Sequence, residues 1–278
     1  MNTTYKLFAK EGNDFLVGVY KYLLKHSGIP ESLHPSIIFN NTGNFDACYD
    51  ATTNIIHINP KLKCMKAQLF GGLNHELKHW KQNLDILRTE NLGTQAIKTY
   101  ANRYTKIQRD TIIKSFEQIA NGKTENMTIE QFESLKELKI LYETDKNAFE
   151  QKFDDYYHLL LKEYSKLQKT AIDEIGLIKE NSALARKSKM YFEDFKSTMT
   201  ADNLENPNIG LYLTRQVEKE AYLAGDMAET EVTGGCLFSK LKKQYEENHA
   251  NKDLSEQLRI GNEENQRRYA KVLGEQKA

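Results

Sequence analysis

Residues 69–82, LFGGLNHELKHWKQ, place two histidines four residues apart with a glutamate directly after the first. On a helix that turns ~100° per residue, with His75 at zero, His79 lies at ~40° and Glu76 at ~100°. Leu69, Leu73, Leu77, Trp80 and Leu84 fall between ~120° and ~200°, a complete apolar stripe that leaves the histidines out. Both imidazoles therefore project from the other side, one turn apart, where two neutral nitrogens can grip a single ion. Tetrahedral coordination needs a third protein ligand and a water, and Glu76 beside the pair is placed to take a proton from that water. The competing reading is an ordinary helix with polar residues on its exposed face.

The flanking sequence predicts strands before this helix. SIIFN at 36–40 is a short β-branched run, and CYDATTNIIHINP at 48–60 reads as a turn at DATTN followed by a strand that Pro60 closes. Alternation sets Ile55, His57 and Asn59 on one face and Ile56 and Ile58 on the other. Further upstream, NDFLVGVYKYLLKH at 13–26 predicts a helix capped by Asn13 or Asp14, with Phe15, Val19, Tyr22 and Leu23 at helical spacing.

Downstream there is no proline between Pro60 and Pro207, and the sequence is rich in Lys, Glu, Leu and Tyr, which predicts several helices. Phe153, Tyr157, Leu160, Tyr164, Leu167 and Ala171 alternate by four and three, followed by Ile175 and Ile178. That seam is too short to demand a filament and predicts packing within the chain. A polar break at 199–210, MTADNLENPNIG, precedes a second helix from Arg215 to about Glu231, which VTGG at 232–235 stops. From residue 246 the tail is strongly polar, a solvated helix or a partly disordered segment.

Composition narrows the function classes. The 278 residues are 39% hydrophobic and 10% aromatic, enough for a packed core. Lys+Arg and Asp+Glu both number 39, and this zero net charge argues against a general nucleic-acid or membrane-surface partner. Cys48, Cys64 and Cys236 have no CxxC spacing and read as ordinary thiols of a reducing compartment. No cleavable signal and no membrane-spanning apolar run is recognisable. The expected localisation is cytoplasmic, although a protein exported without such a signal would have the same features.

His75-Glu76-Leu77-Lys78-His79 is an HExxH motif, and through it the chain resembles the zincin metallopeptidases. The extended pattern HExxHxxQxxD puts Asp85 where metzincins carry a third histidine, but Gln82 replaces the glycine that turns that segment back to the metal. VEKEAYLAGDMAE at 217–229 is similar instead to the third-ligand helix of gluzincins, in which a glutamate precedes an alanine by three, as Glu218 precedes Ala221. Glu220 is the first alternative. ImmA/IrrE-like peptidases, the most similar group, carry Asn or Asp after that alanine, where this chain has Tyr222. Small residues at 221, 224 and 225 would let this helix press against the HExxH helix. The strand at 47–59 occupies the place of the zincin edge strand that pairs with an extended substrate, and His57 on it is a further candidate to face the cleft. Tyr212 or Tyr222 is a candidate donor to the oxyanion.

The resemblance implies an α+β, predominantly helical fold: a zincin-like core of a small antiparallel sheet and the HExxH helix, with a large helical insertion. The expected organisation is residues 1–95, carrying the edge strand and HExxH helix; 96–205, the insertion; and 206–278, the third-ligand helix and tail. The implied activity is zinc-dependent hydrolysis of peptide bonds, with His75, His79 and Glu218 holding Zn2+ and Glu76 as general base toward the metal-held water. The partner is a peptide or protein substrate. An intracellular helical interaction module working through the 153–178 seam, and a catalytically inactive zincin-fold binding protein, are the alternatives.

Overall fold

A tight turn at Ala51–Asn54 organises the sheet. Asp50 accepts from the Thr52 amide at 2.8 Å and the Thr53 hydroxyl at 2.8 Å, and Asn54 takes a left-handed φ of 54° that Asn tolerates better than most residues. This turn joins β2, Ala47–Asp50, to β3, Ile55–Ile58, as an antiparallel pair. The first strand, β1, Ser36–Phe39, runs parallel to β3 on its other side, so the order is β1-β3-β2 and β2 is an edge. The sheet is therefore mixed, where an antiparallel one was expected. The β2–β3 hairpin was visible in its turn, whereas β1 pairs across an intervening strand through contacts that no local pattern records. Ile56 and Ile58 turn into the core, and His57 lies on the opposite face, bonded to Asn40.

The computed structural model describes residues 12–40, 47–59, 66–122, 127–198, 212–233 and 252–274. Pro60, Cys64, Cys236, His249, the break at 199–210 and Gly234–Gly235 lie outside them. The chain falls into two compact units: Met1–Gly93 with Thr170–Ala278, and Thr94–Lys169. Residues 170–198, which the expected organisation grouped with the insertion, pack in the first unit.

In the first unit, helix α1, Gly12–Lys25, buries Phe15, Leu16, Val19, Tyr20 and Leu24, a stripe rotated from the expected one so that Tyr22 and Leu23 are only half-buried. Helix α2, Lys66–Leu87, carries the histidine pair. Phe70, Leu73, Leu77, Trp80 and Leu84 are buried along its apolar side, each burial stabilising by roughly 1.5–3 kcal/mol. Trp80 also donates through its indole nitrogen to the Leu33 carbonyl at 3.1 Å. The polar side of α2 is buried too, at Glu76, His79, Gln82 and Asn83: helices α6, Ala183–Thr198, and α7, Gln216–Thr233, pack on α2, and Tyr49 of β2 bonds both Glu76 and Asn83. Helix α8, Lys252–Leu273, packs on α6. Paired backbone bonds join residues 88–90 to 178, with the Thr89–Ile178 bridge at their centre.

The second unit holds most of helices α3, Leu92–Ala120, and α5, Lys146–Ile175, and all of α4, Ile129–Thr144. Phe116, Phe149 and Phe153 form its buried cluster, with Leu138, Leu141 and Tyr142 against them. A capping box between Thr128 and Gln131 starts α4. Arg109 grips Glu150 through two bonds of 2.7 and 2.8 Å between α3 and α5. The seam on α5 faces inward at Phe153 and Tyr164, and Ala171 continues it as a buried residue of the first unit. No described helix is long and apolar enough to cross a membrane.

Candidate metal centre

Close approach of α2 and α7 creates the site. A Cβ placed on Gly225 would stand 3.0 Å from the Gly71 carbonyl oxygen and 3.6 Å from the His75 Cβ, so any larger residue would crowd this crossing. Val217, Ala221 and Ala228 complete the buried small-residue face of α7. Two carboxamides of α2 fix the register: Asn74 donates to the Ala224 carbonyl at 2.7 Å and Gln82 to the Val217 carbonyl at 3.1 Å.

In that register Glu218 arrives at the histidine pair from 139 residues beyond His79. Its Oε2 is 3.6 Å from Nε2 of both His75 and His79, and the two imidazole nitrogens are 3.0 Å apart. A tetrahedral ion with bonds of ~2.0–2.2 Å spaces its donors ~3.3–3.6 Å apart; both edges to Glu218 match that spacing, and the 3.0 Å edge between the imidazoles is a few tenths of an ångström shorter. The buried Glu218 Oε2 has no hydrogen-bond partner among the described residues. An orphaned carboxylate oxygen facing two ring nitrogens is an arrangement that a cation satisfies. His75, His79 and Glu218 can thus hold a metal ion, and they are the one such group found among the described residues.

The electrostatics agree with a site built for positive charge. Burial and then the neighbouring His79 push His75 down to about 3. Burial opposes a charged His79, yet the Glu218 carboxylate beside it raises it to about 9. For Glu218 burial, the largest single influence, acts upward, but His79, His75 and Tyr212 together outweigh it and hold the carboxyl below its ordinary value. One proton held by the cluster thus stands where a cation would. Glu76, directly beside the triangle, is raised by burial to about 7. Its Oε2 accepts from the Tyr49 amide of edge strand β2 at 2.7 Å, and its Oε1 is 4.0 Å from His75 Nε2.

Tyr222, standing where the resembled family has Asn or Asp, packs its ring on His75 with centroids 4.7 Å apart. The Tyr212 hydroxyl hydrogen-bonds both Glu218 and Tyr222. Burial raises both phenols, Tyr212 with a further push from Glu218, so both remain protonated donors. Other candidates are engaged elsewhere. Glu220 accepts from Tyr191 and pairs with Lys78 at 3.1 Å and Lys187 at 2.9 Å. Asp85 is bonded to Arg88 at 2.9 Å. Cys48 is a free thiol that burial, then Glu76 and Asp50, raise to about 12, which keeps it protonated. His57 lies on the far sheet face.

Sequence reading missed what holds Glu218 in place. Asp194 of α6, fully buried, accepts the Val217 amide at 3.2 Å and the Tyr269 hydroxyl at 2.8 Å. The Tyr269 oxygen in turn accepts the Gln216 amide at 2.8 Å. These bonds satisfy the first free amides of α7, just before Glu218. Asn265 of α8 adds a bond to Thr214 at 3.0 Å. Residues 194 and 269 share no spacing pattern with the motif, so no signal in the sequence joins them. Gln82 did carry one: three residues after His79 on a helix, it is within reach of that ring. No family model, no curated protein and no solved structure matches the chain.

Proposed function

We propose that the chain is a zinc-dependent peptidase of zincin type, hydrolysing peptide bonds of a peptide or protein substrate. The observation that carries this reading is the arrival of Glu218 within 3.6 Å of both HExxH histidines. Two imidazoles and one carboxylate are the donor set of hydrolytic zinc sites with one open position, whereas structural zinc sites close all four. Bound there, zinc supplies Lewis acidity toward a carbonyl and an attacking water.

The chain's own groups divide the remaining work. Glu76 takes the proton of the attacking water and delivers it to the departing amine, a role its place beside the donor triangle allows. The Tyr49 amide holds Glu76 Oε2, which orients Oε1 toward the donor triangle. Tyr222, protonated and in tilted ring contact with His75, supplies a hydrogen bond to the oxygen that gains charge. The helices over the polar side of α2 exclude bulk water and strengthen each of these interactions.

The testing experiment compares wild type with Glu76→Gln for zinc content and for cleavage of a quenched-fluorescent peptide library. Glu76→Gln is expected to retain one zinc and to lose cleavage. Retained cleavage would remove Glu76 from its role, and a zinc-binding wild type that cleaves no peptide would favour the inactive binding scaffold.

A further inference from the structure

We propose that Gln82 is a positioning residue that selects which nitrogen of His79 faces the donor triangle, and that it takes its own orientation from the helix carrying Glu218. The inference rests on the metal reading above and adds a residue that the HExxH pattern does not include.

A chain of hydrogen-bond polarities leads to it. Gln82 is 1% exposed, so its amide is shut off from bulk solvent. One end lies 3.1 Å from the Val217 carbonyl oxygen. A carbonyl only accepts, so the end facing it is the NH2 group. The oxygen end must then face His79 Nδ1, 3.0 Å away. An amide oxygen also only accepts, so Nδ1 must carry a proton. A neutral imidazole bears one proton, which leaves the lone pair on Nε2. Nε2 is the atom 3.0 Å from His75 Nε2 and 3.6 Å from Glu218 Oε2. The carbonyl that starts this sequence belongs to the residue directly before Glu218.

The amide thus links two events, docking of α7 and readiness of His79 to ligate. Asn74 shows that the docking is specific: it holds the Ala224 carbonyl two turns along α7 from Val217, while Gln82 lies two turns along α2 from Asn74. A slip of one turn, ~5.4 Å, would break both bonds and carry Glu218 out of reach. Only a carboxamide can fill the position completely. A carboxylate keeps the acceptor for Nδ1 but cannot donate to Val217, and an apolar side chain of the same length does neither.

The test uses the full chain with Zn2+ as the probe, and measures zinc affinity by competition with a chromophoric chelator together with the 15N spectrum of His79. In the zinc-loaded wild type, His79 is expected to bear a slowly exchanging proton on Nδ1. Gln82→Met is expected to lose that slow exchange and 10–100-fold in zinc affinity. Gln82→Glu, which retains the acceptor, is expected to stay within about tenfold of wild type. The order of the two variants separates this role from packing, since a role limited to tying α2 to α7 makes Glu, with a charge against the Val217 carbonyl, the worse one. Gln82→Met binding zinc as wild type does, or Gln82→Glu binding more weakly than Gln82→Met, overturns the proposal alone. A folded wild type that takes up no zinc overturns the metal reading and this proposal with it.

Discussion

Tyr269→Phe removes one oxygen that makes two bonds at the start of α7. The hydroxyl donates to the buried Asp194 carboxylate at 2.8 Å and accepts the Gln216 amide at 2.8 Å. Losing a bond to a charged acceptor costs ~1.5–3 kcal/mol, and leaving a partly buried amide unpaired costs about 1 kcal/mol more. The ring and its packing are unchanged, so the expected loss is about 3 kcal/mol. For a unit of roughly 200 residues this corresponds to a fall in Tm on the order of 10 °C. Trp80, the chain's only tryptophan, is fully buried in the first unit, so its fluorescence reports that unit's unfolding. The loss should depend on pH. Burial already raises Asp194 to about 6, and losing a donor raises it further. The bond to the charged form matters above that pH, so the cost of the substitution should grow between pH 5 and pH 8. A cost below about 1 kcal/mol, or one equal at both pH values, would mean that the Tyr269 hydroxyl does not brace a charged Asp194.

Three further outcomes follow from the same geometry. Because the folded value of Asp194 lies above its ordinary 3.8, its contribution to stability is full below ~3.8 and is lost as pH rises through about 6; urea melts of Asp194→Asn against wild type should therefore shift in the variant's favour across that window. Gly225→Ala forces a methyl to 3.0 Å from the Gly71 carbonyl and should destabilise by ~1–2 kcal/mol despite alanine's better helix propensity, whereas Gly72→Ala, whose Cβ meets nothing within 4 Å, should stabilise by up to ~1 kcal/mol in the same thermal melts. His79, raised to about 9 by Glu218, holds a proton in the metal-free chain at neutral pH, so zinc uptake should release about one proton and zinc affinity should rise about tenfold per pH unit below that value; calorimetry in buffers of differing ionisation enthalpy measures both.

How far the site was legible depended on whether its contacts were local. The helical wheel separated His75 and His79 from the apolar stripe because every residue in that comparison belongs to one helix. Nothing within residues 69–82 says that the polar side is also buried, because the cover comes from α7, through Ala221 and Gly225. Glu218 was reachable only through a resemblance, and Glu220 was separated from it by partners, Lys78 and Lys187, that only the fold brings near. Gln82 was read as an obstacle to a turn; buried, it is instead an amide between a ligand and the next helix. The sheet divides in the same way. The Ala51–Asn54 turn announced one hairpin, and the parallel pairing of β1 with β3 had no local signal. Asp194 and Tyr269 meet across 75 residues with complementary polarity but no periodicity, so only the folded chain shows the brace they form.

Whether His75, His79 and Glu218 hold zinc is read from the metal stoichiometry of the purified, folded chain, measured by elemental mass spectrometry after dialysis against trace zinc, for wild type, Glu218→Ala and Glu220→Ala. One zinc per chain is expected for wild type and for Glu220→Ala, and a loss of stoichiometric zinc for Glu218→Ala. A folded wild type without zinc, or a Glu218→Ala variant that retains it while Glu220→Ala does not, would show that Glu218 and the histidine pair do not form a zinc site.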